Sequence, residues 1–493
     1  MATRRTFVKQ SALAAGAAAL VRPDHAGAAA TPALVGIQIG AVSFVDEGTG
    51  RAIESVQEMG GVNTLFVAAF TYGRGIAGRQ PRGNPLPDHG KQEYDDSFRG
   101  GNFATPHPEL YRGTSIAPEK APDHPGYDVL AEVIPEAHRR KVKVVAWFED
   151  VFRRDVPGID RALEVDVHGQ PGSRLCFRNP GTRAFWLALV EDYLRSYPDL
   201  DGLMWGSERQ GPLNDALGAS HGEGARPAAA ACFCPHCLDA ARRQGIDADR
   251  ARRGFLALEQ WIGGMARDGK PVDGAFVTFW RILVEQPEVL AWERLWNEGL
   301  RDTYRAMYEK AHGLAPDKLI GWHIWHTSSF APFYRAEQDY AAFGKHSDFL
   351  KVVLYNNCGG PRLARYVRNV NATLFADLTP EETLQLVYRV QQYPNEKPLD
   401  RIAAEGLSAD YVRRETARAV AGAAGGLKIW PGIDIDIPTG AGEKKTQPDD
   451  VYQAVRAAFA AGAHGIILSR KYSEMRLDNL RAAGRALRPL REP

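Results

Sequence analysis

Several things are scarce in this 493-residue chain. No stretch is apolar for long enough to cross a bilayer, no basic run stands out, and 61 Lys and Arg nearly cancel 60 Asp and Glu. That balance does not suit a nucleic-acid partner. Five cysteines are too few for a disulfide scaffold, and 44% apolar with 25% charged residues excludes a disordered or collagen-like chain. A G-x-S-x-G elbow, a P-loop and an H-E-x-x-H helix are all missing, which removes the hydrolase and nucleotide chemistries they serve. Aromatic residues, by contrast, are plentiful at 10%. The length fits about three domains, or one barrel with large insertions.

The first thirty residues read as an address. Thr3-Arg4-Arg5-Thr6-Phe7-Val8-Lys9 looks like a twin-arginine export signal, followed by a short Ala- and Gly-rich stretch and the A-x-A site Ala28-Ala29-Ala30. Cleavage after residue 30 removes Arg4, Arg5, Lys9, Arg22 and Asp24, leaving 57 basic and 59 acidic residues. The expectation is a soluble mature protein handled by the twin-arginine machinery, periplasmic or secreted, with no membrane span.

From there short β-branched runs alternate with amphipathic helical stretches. The expected strands are Ala33–Gly40, Thr64–Ala69, Val142–Phe148, Gly202–Trp205, Leu319–Trp325, Leu350–Tyr355, Leu427–Ile433 and Gly465–Ser469. Eight βα units predict an α/β fold of the (β/α)8 TIM-barrel type over residues 31–493. A doubly wound sheet would carry a Gly-rich phosphate loop after its first strand, and Gly40-Ala-Val-Ser-Phe-Val-Asp46 is not one. The beat is broken by two insertions, 71–126 after strand two and 209–317 after strand four. Both follow strand C-terminal ends, where barrel enzymes build their sites.

The second insertion carries Cys232-Phe-Cys234-Pro-His-Cys237 near 231–238. Thiolates at C-x-C-x-x-C spacing can converge on one tetrahedral zinc. A disulfide with free thiols, or a redox role, fits the same residues. A fourth ligand could come from Cys176, His236 or Cys358. The order Leu175-Cys176-Phe-Arg-Asn-Pro-Gly-Thr-Arg183, then Asp201-Gly-Leu-Met-Trp-Gly-Ser-Glu208, then the cysteine cluster, resembles the glycoside hydrolase family 42 β-galactosidases over roughly residues 170–240. That resemblance implies a structural Zn²⁺ on Cys176, Cys232, Cys234 and Cys237, with Glu208 as the acid/base at the end of strand four. Where that family places a Glu nucleophile after strand seven, this chain has Asp434 and Asp436. Ser207 stands where an Asn usually precedes the acid/base.

The strand ends supply a polar and aromatic set that suits carbohydrate: Trp147 and Glu149, Trp205 and Arg209, His323 and His326, Tyr355 and Asn356, Trp430, and Lys471. Aromatic faces stack on the apolar faces of sugar rings, and two carboxyls can run acid/base or nucleophilic chemistry at an anomeric carbon. Glu208 is expected as proton donor, with Trp205 raising its pKa. Asp434 ranks first as second carboxylate, then Glu474, then Asp436, with a structural or hydroxyl-binding role the alternative for each. Tyr72, Arg74 and His89 of the first insertion are expected to wall the sugar site. The function these residues point to is an exported glycoside hydrolase acting on a neutral small-molecule or oligosaccharide substrate. A metal-dependent sugar isomerase or lyase, and a non-catalytic carbohydrate-binding barrel, are the competing readings.

Overall fold

Strands that are apolar on both faces must be covered on both faces, and the computed structural model, which describes residues 33–222 and 226–490, shows how. Eight parallel strands form one sheet: β1 (Leu34–Gly40), β2 (Thr64–Thr71), β3 (Lys143–Glu149), β4 (Gly202–Gly206), β5 (Leu319–Ile324), β6 (Phe349–Val353), β7 (Lys428–Asp434) and β8 (Gly465–Ser469). β1 pairs with both β2 and β8, so the sheet closes on itself. This is a (β/α)8 barrel. The expected export segment 1–30 lies outside the described residues. Among those described, no helix is long and apolar enough to cross a membrane.

The helices start where their sequences can cap them. The Asp128 side chain accepts from the Leu130 and Ala131 N–H groups ahead of helix Val129–Arg139. Thr379 and Glu382 form a reciprocal capping box at Pro380–Gln391. The insertion after β2 is mostly irregular; its Gly101–Asn102 adds a short antiparallel pairing to the end of β2. A hairpin, Leu163–Val165 with Pro171–Leu175, stands between β3 and helix Pro180–Ser196. The segment after β4 is helical, ending in the long helix Glu288–Leu314 that packs on Pro180–Ser196.

Side chains plug the barrel floor. Phe349 and Trp430 stack at 4.1 Å between ring centroids, with Phe66 edge-on to Phe349 at 6.0 Å. Room for these rings comes from missing side chains: a Cβ on Gly36 would lie 2.5 Å from Phe66, and one on Gly321 would lie 2.5 Å from Phe349. These rings fill the interior toward the N-terminal ends of the strands.

Candidate active site

Strand register assembles the site. Glu149 of β3 pairs with Gly206 of β4, Gly206 with His323 of β5, and His323 with Lys351 of β6. These four positions form one row across neighbouring strands, so their side chains share a face of the sheet. That face is the interior, because Trp205, next to Gly206, points the other way onto Trp186 and Tyr304 of the surrounding helices; a Cβ on Gly206 would lie 3.2 Å from the His323 Cβ and 3.5 Å from the Glu149 Cγ. The bare glycine lets Glu149 and His323 approach each other across it.

His323 links the row to the mouth. Its Nε2 lies 2.9 Å from Oε1 of Glu208, two residues beyond β4. Its Nδ1 lies 3.4 Å from the Lys351 ammonium nitrogen. Lys351 also donates to Gln38 Oε1 of β1 at 2.5 Å and to the Tyr355 hydroxyl at 2.8 Å. A chain in which Lys351 donates to Nδ1 and Nε2–H donates to Glu208 satisfies both ring nitrogens. Lys351 and His323 are buried, whereas the Glu208 side chain is 44% exposed.

The two carboxyls are pushed in opposite directions. Burial raises Glu149 well above the usual carboxylate range, and the charge of Glu208 raises it further against the pull of Lys351. For Glu208, the partial loss of water at the site opposes ionisation, but the hydrogen bond from His323, with Arg362 beyond, outweighs it and holds the group down to about 2. Its contact with solvent favours the same ionised form. Lys351 is lowered to about 7 by burial, although both carboxyls resist that. Burial, then the Lys351 charge, lowers His323. The two environments thus differ: that of Glu149 favours the neutral form and that of Glu208 the ionised form.

Of the residues picked from the strand ends, Glu149, Glu208, His323 and Tyr355 come together here, with Trp147 at 5.9 Å from the Lys351 nitrogen to its ring centre. Others are committed elsewhere. Trp205 faces outward against Trp186 and Tyr304, so it does not line Glu208, and the expected rise in the Glu208 pKa is a fall instead. Arg209 turns away to bind Asp150, the Leu175 carbonyl and Glu164, and it stacks on Phe177 at 4.2 Å. Trp430 is part of the floor. Asp434 is fully buried; its Oδ2 accepts from the Cys358 N–H at 2.8 Å and its Oδ1 from the Ile437 N–H at 3.4 Å. Burial raises its pKa to about 6. Asp436 takes the Arg476 and Asn479 side chains, Glu474 takes Arg470, and Lys471 donates to the Arg74 and Gly78 carbonyls.

The remaining picks clamp loops. His89 bridges Glu47 and the Met475 carbonyl and stacks on Tyr472 at 4.2 Å. The Tyr72 hydroxyl donates to Glu119 and its ring lies under Arg153. Arg74 binds the Asp95 carbonyl. His326 is buried between Tyr411 and Arg362. Asn356 opens helix Asn356–Asn371 with its side-chain Oδ1 buried and without a partner. Lys351 and Gln38 were not picked from the sequence. The available signal was a polar residue inside a strand that is otherwise apolar, Phe349-Leu-Lys-Val-Val353 and Leu34-Val-Gly-Ile-Gln-Ile-Gly40.

The cysteine cluster is a second centre. Cys176 ends the hairpin segment, Cys234 caps helix Pro235–Arg243 and Cys237 sits in its first turn. The donor atoms of Cys176, Cys232, Cys234 and Cys237 all lie within 4.8 Å of one another. Cys176 Sγ is 3.5 Å from that of Cys234 and 3.6 Å from that of Cys237. Those separations far exceed a disulfide bond. They are close to the roughly 3.8 Å edge of a tetrahedron with metal–sulfur bonds of about 2.3 Å. Four buried cysteines are therefore close enough to bind a metal ion, and the donor set fits zinc. The fifth, Cys358, lies apart beside Asp434.

No protein-family model matches this sequence, and no curated protein matches it. Solved structures similar to the chain include glycoside hydrolases. α-L-Fucosidase isoenzyme 2 from Paenibacillus thiaminolyticus is 13% identical, with 93% of this chain and 49% of that one covered and a TM-score of 0.46. The PgaB glycoside hydrolase domain from Bordetella bronchiseptica is 14% identical, covering 94% and 98%, with a TM-score of 0.46. The GH42 β-galactosidase Gan42B from G. stearothermophilus is 12% identical, covering 93% and 57%, with a TM-score of 0.48. The chain spans about half the length of the first and third of these.

Proposed function

We propose that this protein is an exported glycoside hydrolase acting on a neutral carbohydrate at the mouth of the barrel. The observation that carries the reading is the placement of two carboxyls, Glu149 buried at the end of β3 and Glu208 exposed just beyond the end of the adjacent β4, in surroundings that favour the neutral form of the first and the ionised form of the second. Environments that push two carboxyls apart in this way assign an acid and a base or nucleophile. In this reading Glu149 donates the proton to the departing sugar oxygen. Glu208, open to the mouth and oriented by His323, acts at the anomeric carbon either directly or through water. Asp434, with both oxygens bound to backbone N–H groups, serves the strand-seven corner rather than the reaction. Tyr355 and Trp147 would contact the sugar.

Zn²⁺ held by Cys176, Cys232, Cys234 and Cys237 would be structural. It would tie the segment before helix Pro180–Ser196 to the insertion after β4, so that the loop carrying Glu208 has a rigid support. No step of the reaction passes through it.

The test is hydrolysis of a panel of aryl glycosides and neutral oligosaccharides by the wild-type protein, Glu149→Gln and Glu208→Gln. Turnover by the wild type and at least a hundredfold loss in both variants is expected. Oligosaccharide binding without turnover, unchanged in Glu208→Gln, would instead indicate a carbohydrate-binding barrel.

A further inference from the structure

Among the described residues, exposed large apolar side chains gather in one place. Phe276, Val277, Trp280 and Val284 stand on helix Ala275–Glu285 of the second insertion, with Val272 just before it and Leu290 just after. Trp280 keeps 56% of its surface in water and Val284 keeps 64%. Thr278, Arg281 and Glu285 are the only polar residues of this helix. A helix apolar nearly all round is expected to be covered all round. Its own chain covers one side: Ala275, Phe279 and Leu283 are buried, and Phe279 meets Trp261 and Phe333 at 6.1 and 6.4 Å between ring centroids. The Ala275 N–H donates to Asp377 Oδ2 at 2.7 Å and pins the start of the helix to the segment after Asn356–Asn371. The other side, with Phe276, Trp280 and Val284 at successive turns, is held in place and faces water.

Three features point to a second copy of this chain as the cover. The six exposed side chains leave on the order of 600 Å² in water, as much as a monomer ordinarily leaves in one patch. That is most of the about 800 Å² each partner buries in an interface of standard size. With 61 basic and 60 acidic residues, two copies do not repel. The charges on the helix also match their own copy. Arg281 and Glu285 lie one turn apart along one edge of the apolar stripe, in line with Val277. The Glu285 carboxylate has no ion pair among the described residues, and Arg281 holds only the exposed Asp273, 2.6 Å from its Nη2. In an antiparallel pair of these helices Trp280 lies over Val284 of the second copy, and each Arg281 meets the second copy's Glu285. A lipid surface fits less well, because Arg281 is the single basic residue of the helix, where a membrane-surface helix carries several.

We propose that the exposed face of helix Ala275–Glu285 is the interface of a twofold homodimer, in which two copies of the helix pack antiparallel with reciprocal Arg281–Glu285 pairs along the edge. The dimer stands apart from the hydrolase reading and uses no residue of the barrel mouth.

Gel filtration with light scattering, on the folded full chain, tests it. At about 50 µM the wild type should show the mass of two chains, since interfaces of this class reach micromolar affinity or better. Trp280→Glu, at an exposed position, should raise the dimer Kd at least about 30-fold with the circular dichroism spectrum unchanged. Arg281→Glu and Glu285→Arg should each weaken the dimer about tenfold by bringing like charges together. The double variant should restore it, which a patch that only packed within one chain would not do. A monomeric wild type, a dimer indifferent to Trp280→Glu, or a double variant as weak as the single ones overturns the inference. A monomer that binds phosphatidylglycerol vesicles through Trp280 also overturns it, and assigns the face to a lipid surface.

Discussion

His323 Nε2 stands 2.9 Å from Glu208 Oε1 while the other ring nitrogen of the same histidine stands 3.4 Å from the Lys351 nitrogen. One buried imidazole thereby couples the carboxylate at the mouth to the amine in the interior. Charge-assisted bonds of this kind contribute about 1.5–3 kcal/mol. His323→Ala should lower kcat/KM about 10- to 100-fold. The sign in pH follows from the direction of the shift. Glu208 is depressed to about 2, so its ionised form is complete above the ordinary carboxylate range and is lost only as pH falls toward 2. In His323→Ala the acid limb should move up toward the ordinary value of about 4.3. A pH–rate profile with an unmoved acid limb would show that His323 does not act on Glu208.

Arg209 fills a buried anionic niche, with its Nη1 3.0 Å from Asp150 and its Nη2 2.7 Å from Glu164. Both carboxylates are buried, and removing their cation leaves them uncompensated. Arg209→Met should cost about 3–5 kcal/mol of stability, measured as a drop in the midpoint of chemical denaturation. A substrate-binding arginine would instead raise KM and leave the midpoint in place.

The four-cysteine cluster should carry one equivalent of zinc by elemental analysis of the purified chain. Cys234→Ser should lose the metal and lower Tm, because metal binding and folding of the closed site are coupled. A fully folded wild-type protein with no bound metal would end this assignment.

Trp430 packs flat on Phe349 in the barrel floor. Trp430→Phe should lower stability by about 1–3 kcal/mol through the lost packing while leaving KM for any substrate near its wild-type value. A large KM effect with unchanged stability would put Trp430 in contact with substrate.

Gly206 sits between Glu149 and His323, and a larger side chain there must displace one of them. Gly206→Val should reduce activity at least tenfold with the circular dichroism spectrum and the zinc content retained. Full activity in that variant would mean that Glu149 and His323 need not adjoin.

The amino-acid sequence alone determined the beat of eight strands and their helices, the two insertions, the cysteine grouping and the Glu208 position. Each of these is local: an apolar run, a cap, a spacing or a short motif. What it could not decide is which strand-end residues face one another. Parallel barrel strands are buried on both faces, so their sequences do not alternate, and nothing in Leu203-Met-Trp205 tells inward from outward. Closure of the sheet turned Trp205 to the helices and placed Trp430 at the floor. It drew Arg209, Asp436, Lys471 and Glu474 into ion pairs and hydrogen bonds of their own. The same closure brought Lys351 and Gln38, far apart along the chain, to 2.5 Å. Only register across neighbouring strands aligned Glu149, Gly206, His323 and Lys351 in one row. The opposite pKa shifts of Glu149 and Glu208 follow from that row, because they depend on burial and neighbouring charge.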